Sequence, residues 1–386
     1  MGLNQNTWKI NQWYDQAVAG NVSYSGSGEL WAWGRNQYGQ LGQNTTTEYS
    51  SPVQIPGTTW KSGYKEIAMY NGVVAGKTDG TLWSWGVQWA GELGLNDTVR
   101  RSSPVQIGSD TTWDKVIHGD RSVLATKTDG TLWAWGYNGE GNLGQNNNTV
   151  YSSPIQIPGT TWGGGIGFSK TGAAFAIKTD GTLWSWGNSN NGALGQNKGP
   201  GQNRSSPIQI GSDTTWSKIV SGAYRAMATK TDGTLWSWGY NHVGQLGQGN
   251  NTRYSSPVQI PGTTWSTIGS NSYTSSATKT DGTLWCWGYN DNGDCAQNTN
   301  GTSTSTYDSP VQVPGTTWSQ VIQSKGTNSM GAIKTDGTLW FWGQNGYGYL
   351  GQNNRTFYSS PVQIPGTEWS YATGGNSGQN IAAKNI

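Results

Sequence analysis

The sequence predicts an all-β protein, a seven-bladed β-propeller built of four-stranded antiparallel blades. Three observations predict it. A segment close to Lys-Thr-Asp-Gly-Thr-Leu-Trp-Ser-Trp-Gly recurs seven times, and its last glycine falls at Gly34, Gly86, Gly136, Gly187, Gly239, Gly288 and Gly343. The interval stays between 49 and 55 residues, a period that belongs to propellers and solenoids. No stretch shows the 3.6-residue apolar spacing that a helical solenoid requires.

The fifth repeat gives the strands in order. Residues 217–221 are short and apolar and read as a first strand; residues 226–230 read as a second. Asp232-Gly233 is expected to form a two-residue hairpin turn, because that pair tolerates positive φ. Residues 234–239 form the third strand. Its period of two puts Trp236 and Trp238 on one face and Leu235 on the other. A glycine-rich loop follows. Residues 256–260, Ser-Pro-Val-Gln-Ile, make a fourth, outer strand, with proline where a missing N–H is tolerated. Pro261-Gly262 then turns the chain into the next unit. Four such strands in about 50 residues make one blade. The paired tryptophans are expected to pack between blades.

The opening tryptophan of each unit occurs eight times: Trp8, Trp60, Trp113, Trp162, Trp216, Trp265, Trp318 and Trp369. The Leu-Trp-x-Trp half occurs only seven times, so the chain starts and ends on an opening half-unit. The first copy is the most divergent and lacks the Lys-Thr-Asp-Gly turn. The expectation is therefore a propeller over 26–386 whose ring is closed by the C-terminal half-repeat, 369–384. Residues 1–25 would then be a divergent half-repeat serving as an adaptor, with Trp13 and Tyr14 as its contacts. The competing expectation is that 1–25 supply the closing strands.

The pattern Gly-x-Leu-Trp-x-Trp-Gly-x-Asn-x-x-Gly-Gln-Leu-Gly-Gln, followed by Ser-Ser-Pro-Val-x-Ile, resembles the regulator-of-chromosome-condensation repeat. It recurs along nearly the whole chain. The resemblance implies a seven-bladed propeller. It says little about activity, because one fold hosts many functions. The texture of the repeats is similar to that of bacteriophage-encoded members, which implies a tail or capsid-surface role.

Composition excludes several function classes. The net charge is +2, and no Lys/Arg run exceeds Arg100-Arg101, so nothing marks a nucleic-acid surface. No run of 18 apolar residues points to membrane insertion. The N-terminus carries no signal-peptide pattern, so the protein is expected to be made in the cytoplasm without one and displayed on a virion surface or outside the cell. Two cysteines cannot form a disulfide framework. Cys286 fills the small slot of Leu-Trp-x-Trp and Cys295 replaces the leucine of Gly-Gln-Leu-Gly, so both read as core substitutions.

Candidate catalytic groups are few, and no cofactor is expected. There are two histidines. His118, Asp120 and Ser122 sit too close in sequence to give triad geometry. No His/Cys spacing suits zinc, and Asp291-Asn292-Gly293-Asp294 lacks the acid that completes a calcium loop. The six aspartates of the repeated turn, Asp79, Asp129, Asp180, Asp232, Asp281 and Asp336, are turn formers. Fourteen tryptophans belong to Leu-Trp-x-Trp and eight to opening positions, which leaves Trp13 and Trp89 outside the repeat.

Function is expected where the repeats differ. In an antiparallel blade the Asp-Gly and Pro-Gly turns fall on one face, which is nearly the same in every blade. The loops after Trp-Gly and the turns between first and second strands fall on the other, which differs at each blade. Tyr38, Trp89, Asp120, Arg121, Tyr224, Arg225, His242, Tyr273 and Tyr347 lie in those variable segments, and Tyr, Trp, His and Arg on a rigid scaffold suit recognition. Turn residues Tyr70, His118, Phe168, Lys325 and Asn328 belong to the same face. The expected function is a non-enzymatic protein-binding or structural propeller of a virion, or a surface adhesin. Its partners would be virion neighbours or a host receptor, with a glycan as a further candidate. The alternative is a guanine-nucleotide exchange factor or chromatin-binding propeller for a small GTPase. A light sensor like the family's plant UV-B photoreceptor would need Gly-Trp-Arg-His-Thr segments, which the sequence lacks.

Overall fold

The computed structural model describes residues 27–63, 65, 67–199, 201–298, 305–324, 326, 329–376 and 378–385. Among them the strands form six four-stranded sheets and one five-stranded sheet, which are the seven blades. Residues 1–25, and with them Trp13 and Tyr14, lie outside the described residues, as do Lys325 and Asn328.

Blade 5 shows the common plan. Trp216–Ser221 is innermost, followed outward by Arg225–Lys230, Leu235–Gly239 and Tyr254–Ile260, each antiparallel to the last. The innermost strands of successive blades touch in a cycle around the axis. They run from Ile67–Met69 through Trp113–His118, Ile166–Phe168, Trp216–Ser221, Trp265–Ser270 and Trp318–Val321 to Trp369–Gly374, which meets Ile67–Met69 again. Gln323–Ser324 bridges the last gap as a parallel partner of Trp369–Gly374.

Blade 1 draws on both ends of the described chain. Trp369–Gly374 pairs with Gln379–Asn385, which pairs with Ser27–Gly34, which pairs with Tyr49–Lys61. The register sets Leu30 opposite Ala383 and Ala32 opposite Ile381.

The apolar core lies between blades. Seven hydrophobic clusters occur among the described residues, one at each junction. Phe175 and Leu183 of blade 4, for example, pack with Ile219 and Trp238 of blade 5. The second tryptophan of each Leu-Trp-x-Trp is fully buried at all seven junctions. Its indole N–H donates to a backbone carbonyl of the preceding blade, as from Trp135 to Glu92 and from Trp238 to Ala193, both at 2.9 Å. Its ring also meets the opening tryptophan of its own blade, with centroids 6.3 Å apart for Trp216 and Trp238. Burying ~150–250 Å² per indole contributes roughly 4–6 kcal/mol as an upper bound.

The first tryptophan of each pair is half-buried. In blades 2 to 7 its N–H donates to the threonine hydroxyl of its own turn, as Trp236 does to Thr234 at 2.9 Å, and in blade 1 Trp31 donates to the Glu29 carboxylate at 3.1 Å. The repeat lysine lies over this ring, with Lys230 Nζ 4.2 Å from the Trp236 centroid. The conserved-looking Lys of each copy is thus a packing element, covering an indole with its charge and stem.

The turn differs from the expected two-residue hairpin. Lys230 N–H bonds Thr234 O at 3.0 Å and Gly233 N–H bonds Lys230 O at 3.1 Å, so the loop holds three residues. The aspartate keeps a negative φ, because its carboxylate accepts from the Thr234 N–H (2.9 Å) and hydroxyl (2.7 Å). Only Gly233 takes a left-handed φ, +78°. A Cβ there would stand 2.1 Å from the Thr263 carbonyl, so glycine is required twice over. The same bonds recur at Asp79, Asp129, Asp180, Asp281 and Asp336, which engages all six repeat aspartates in turn formation.

Candidate recognition surface

In blades 1, 2, 3, 5 and 7 the long loop after Trp-Gly is held from within by a buried amide. Asn241 donates to the carbonyls of Asn250 and Thr252, both at 2.8 Å, and accepts from the Leu246 N–H at 2.8 Å. Asn36, Asn138 and Asn345 repeat this pattern, and Gln88 replaces it in blade 2. These amides satisfy loop backbone that would otherwise be buried without partners. The loops are therefore rigid platforms, and their variable tips face outward.

Tyr240 N–H bonds the Tyr224 carbonyl at 3.0 Å, so the first turn and the long loop of blade 5 emerge side by side. On the opposite face Thr78 of the Asp-Gly turn bonds Thr59 of the Pro-Gly segment at 2.9 Å. The two loop sets thus occupy opposite faces of the disc.

Two aromatic and cationic patches form on the variable face. In the first, Trp89 is 40% exposed and meets Tyr38 edge-on, with centroids 6.0 Å apart. Arg121 lies 5.4 Å over the Trp89 ring and Arg100 lies 4.9 Å over Tyr38. Glu92 holds this loop from below by accepting from the Trp89 and Ala90 N–H groups, and burial raises its pKa. Arg121 also pairs with Asp120 at 3.8 Å.

The second patch spans blades 5 and 6. His242 stacks on Tyr240 at 4.4 Å and meets Tyr273 edge-on at 5.7 Å. Tyr224 and Tyr289 flank it, each about 6 Å from the nearest ring. Arg253 lies 5.3 Å over Tyr240. Burial, with help from the Arg225 charge, pushes the His242 pKa below its ordinary value. Tyr347 stands apart in blade 7, 41% exposed beneath the Arg35 guanidinium at 4.9 Å.

Arg225 corrects the sequence-based expectation. It does not reach the surface: it is 1% exposed and points into the junction with blade 6. Its guanidinium donates to the carbonyls of Ser272 (2.6 Å), Thr274 (2.7 Å) and Asn271 (3.2 Å) and to the Ser275 hydroxyl (3.2 Å). Burial presses its pKa down to about 9, which still leaves it charged at neutral pH. Arg225 fixes the turn that presents Tyr273, so it supports the surface from behind.

Tyr70, His118 and Phe168 are also buried. Tyr70 and His118 stack near the axis with centroids 6.2 Å apart. His118 Nδ1 lies 2.8 Å from the Gly119 carbonyl, and Asp120 interacts with Tyr70. Burial raises the Asp120 pKa. Cys286 and Cys295 are buried with their thiols 2.7 Å apart in the core of blade 6. Among the described residues no group of three or more His, Cys, Asp or Glu could hold a metal ion.

Sequence reasoning missed Tyr240, Tyr289, Arg100 and Arg253. Tyr240 and Tyr289 directly follow a Trp-Gly pair, as Tyr137 does, where the other repeats have Arg35, Val87, Asn188 and Gln344, and that variation was a usable signal. The arginines end their loops just before the outer strand.

Residues 27–62, 129–162, 180–229 and 232–269 match the regulator of chromosome condensation (RCC1) repeat. These stretches of the chain are RCC1 repeats. It is similar to the ultraviolet-B receptor UVR8 of Arabidopsis thaliana, 29% identical over 62% of this chain and 55% of the receptor. It thus spans about half of that relative's length. Among solved structures, it resembles a chain in the crystal structure of Kap60 bound to yeast RCC1 (Prp20), with a TM-score of 0.79, 18% identity and coverage of 93% and 89%. It also resembles Prp20p from Saccharomyces cerevisiae, a protein studied for its binding to Gsp1p and histones, with a TM-score of 0.77, 17% identity and coverage of 94% and 92%. At that identity the structural likeness establishes the fold.

Proposed function

We propose that this RCC1-repeat chain is a non-enzymatic protein-binding propeller whose variable loop face recognises another protein. The observation that carries this reading is the pair of aromatic and cationic patches, Tyr38–Trp89–Arg121 and Tyr240–His242–Tyr273, on loops held rigid from below. Exposed Trp and Tyr beside Arg on a fixed scaffold provide large contact area at small ordering cost. Related propellers with printed partners, Kap60 for yeast RCC1 and Gsp1p and histones for Prp20p, are consistent with a binding role.

The finer reading places the chain on a virion or cell surface, facing virion neighbours or a host receptor. Near-identical blades and uncharged Asn/Thr-rich loops suit a durable display platform. Mass spectrometry of purified particles from the source tests this placement: presence at stoichiometric copy number supports it and absence refutes it. The binding role is tested separately. Trp89→Ala and Tyr273→Ala should each weaken partner capture at least tenfold, while Gln54→Ala on the outer strand of blade 1 leaves it unchanged. Equal capture by all three variants would refute the loop-face reading. A second reading, nucleotide exchange on a small GTPase, rests on the fold shared with Prp20p and is tested by a nucleotide-release assay.

A further inference from the structure

The rim of the disc carries a second kind of site, away from the variable loops. Grooves open there at blade junctions, between the opening tryptophan, the first tryptophan of the pair and the next outer strand. Two of them, at Trp113 and at Trp216, differ in construction from the others.

In four blades the linker before the opening tryptophan reads Pro-Gly-Thr-Thr. There the indole N–H has an acceptor: Trp60, Trp162, Trp265 and Trp318 donate to the carbonyls of Pro56, Pro158, Pro261 and Pro314 at 3.2–3.3 Å. The linker glycine packs against that nitrogen, so that a Cβ on Gly57, Gly159, Gly262 or Gly315 would stand 3.0–3.2 Å from it. Blades 3 and 5 instead read Gly-Ser-Asp-Thr-Thr, one residue longer and without proline. Around Gly108 and Gly211 the space is open to 4 Å. The Trp113 and Trp216 side chains are 5% and 4% exposed, and neither indole nitrogen has a hydrogen-bond partner. Trp369 Nε1 also lacks an acceptor, but there the Lys384 ammonium lies in the space beside Gly366.

The longer linker also brings in a carboxylate. Asp110 pairs with Lys127 at 2.5 Å and Asp213 pairs with Lys230 at 3.0 Å. The grooves measure about 420 Å³ at Trp113 and about 430 Å³ at Trp216, against about 380 Å³ at Trp265 where the linker is Pro-Gly, all within the range of small-molecule sites. The first is walled by Trp113, Trp133 and Lys127, with Asp110, Asn96 and Gln106 at its edge. The second repeats the two indoles and the aspartate with Trp216, Trp236 and Asp213.

We propose that these two grooves are a matched pair of saccharide-binding sites, each taking a neutral pyranose unit of a glycan. A buried N–H without a partner costs free energy that a ligand oxygen recovers, so the occupant must present an acceptor. Lys127 neutralises Asp110 and Lys230 neutralises Asp213, while Lys198 and Arg204 add positive charge at the Trp216 groove alone, so an occupant common to both grooves is neutral. The carboxylate oxygens can accept a hydroxyl. The half-exposed indoles supply an apolar wall for the C–H face of a sugar ring. Alternating hydroxyls and C–H groups answer all three demands in one rigid molecule. These sites lie apart from the protein-binding face and do not depend on it.

Titration calorimetry and saturation-transfer NMR on the full chain test the inference, with glucose, galactose, mannose, N-acetylglucosamine, lactose and maltose as probes. At least one probe should bind with two sites per chain. Replacing Gly108-Ser109-Asp110 with Pro-Gly restores the linker of the other blades, which the fold already accommodates four times, and should remove one site. The same change at Gly211-Ser212-Asp213 should remove the other. Asp110→Asn with Asp213→Asn should weaken binding at least threefold without changing the unfolding midpoint at neutral pH by more than a few degrees. Absence of saturable binding by all six probes, or binding that survives both linker replacements, overturns the proposal.

Discussion

Trp33 donates its indole N–H to the carbonyl oxygen of Tyr349 over 2.8 Å, a bond that joins residues 316 positions apart. It is the same bond that Trp85, Trp135, Trp186, Trp238, Trp287 and Trp342 make to the blade before them. The junction between blades 7 and 1 is therefore built like the other six, although its bond joins residues from opposite ends of the described chain.

Ring closure should then be as strong as any internal junction. Trp33→Ala and Trp186→Ala should each cost ~3–5 kcal/mol, because each leaves a cavity where a fully buried indole packed. Trp33→Phe should cost about 1 kcal/mol for the lost hydrogen bond, with lost packing besides, because the Tyr349 carbonyl still accepts from the Asn380 amide at 2.6 Å. Urea unfolding of the three variants measures this. A much smaller loss at Trp33 than at Trp186 would show a weaker closing seam.

The turn glycines should tolerate no side chain. At Gly181 the φ is +77°, and a Cβ would stand 1.9 Å from the Thr214 carbonyl of the next unit. Gly181→Ala should destabilise by ~2 kcal/mol or more, as strain and a backbone clash add. Gly199→Ala, where a Cβ meets nothing within 4 Å, should be nearly neutral. Thermal unfolding of the pair separates the two cases.

Acid should loosen the turns together. Threonine hydroxyl and N–H bonds hold the carboxyls of Asp79, Asp129, Asp180, Asp232, Asp281 and Asp336 below their ordinary values. At Asp110, burial acts to raise the pKa, but the bonds from Lys127 and Thr112 outweigh it and hold the group at about 2. The folded values lie below the unfolded ones, so the stabilisation is present above the ordinary carboxylate range. It is lost as the pH falls through the folded values. Through these groups, stability measured by urea unfolding should decline from about pH 4 towards pH 2. Asp110→Asn should make that decline shallower.

Support and contact should separate cleanly on the variable face. Arg225→Met removes the donor to three buried carbonyls and should cost about 3 kcal/mol, roughly 1 for each. Tyr273→Ala removes a side chain that is 40% exposed and should change stability by less than ~1 kcal/mol. Both should reduce partner capture, Arg225→Met through a displaced turn. Denaturation and binding measured on the same preparations check the pair.

The architecture was legible because a 50-residue period and two alternating tryptophans admit few packings. The opposed loop faces followed from antiparallel strands alone. Arg225 was misjudged because it was read as part of its turn and not of its strand. It begins the second strand opposite Gly239. Five of the other six blades place Gly72, Ser122, Ala173, Thr274 and Ser329 there, each opposite the same glycine, and blade 1 places the buried Gln379. Small residues at one register position mark a buried site, and that comparison would have turned Arg225 inward. The patches around Tyr240 and Tyr289 were less legible, since they form between adjacent blades and depend on distances across a junction. The hairpin was misread for a local reason: Asp-Gly suits a two-residue turn until the following threonine captures the carboxylate.

Photo-crosslinking in the native source tests most directly whether function sits on the variable loops. A benzophenone amino acid placed at Trp89 should capture a discrete protein adduct, and the same group at Thr111, beside the Asp-Gly turns of the opposite face, should not. Adducts from the Thr111 position with none from Trp89 would contradict the account.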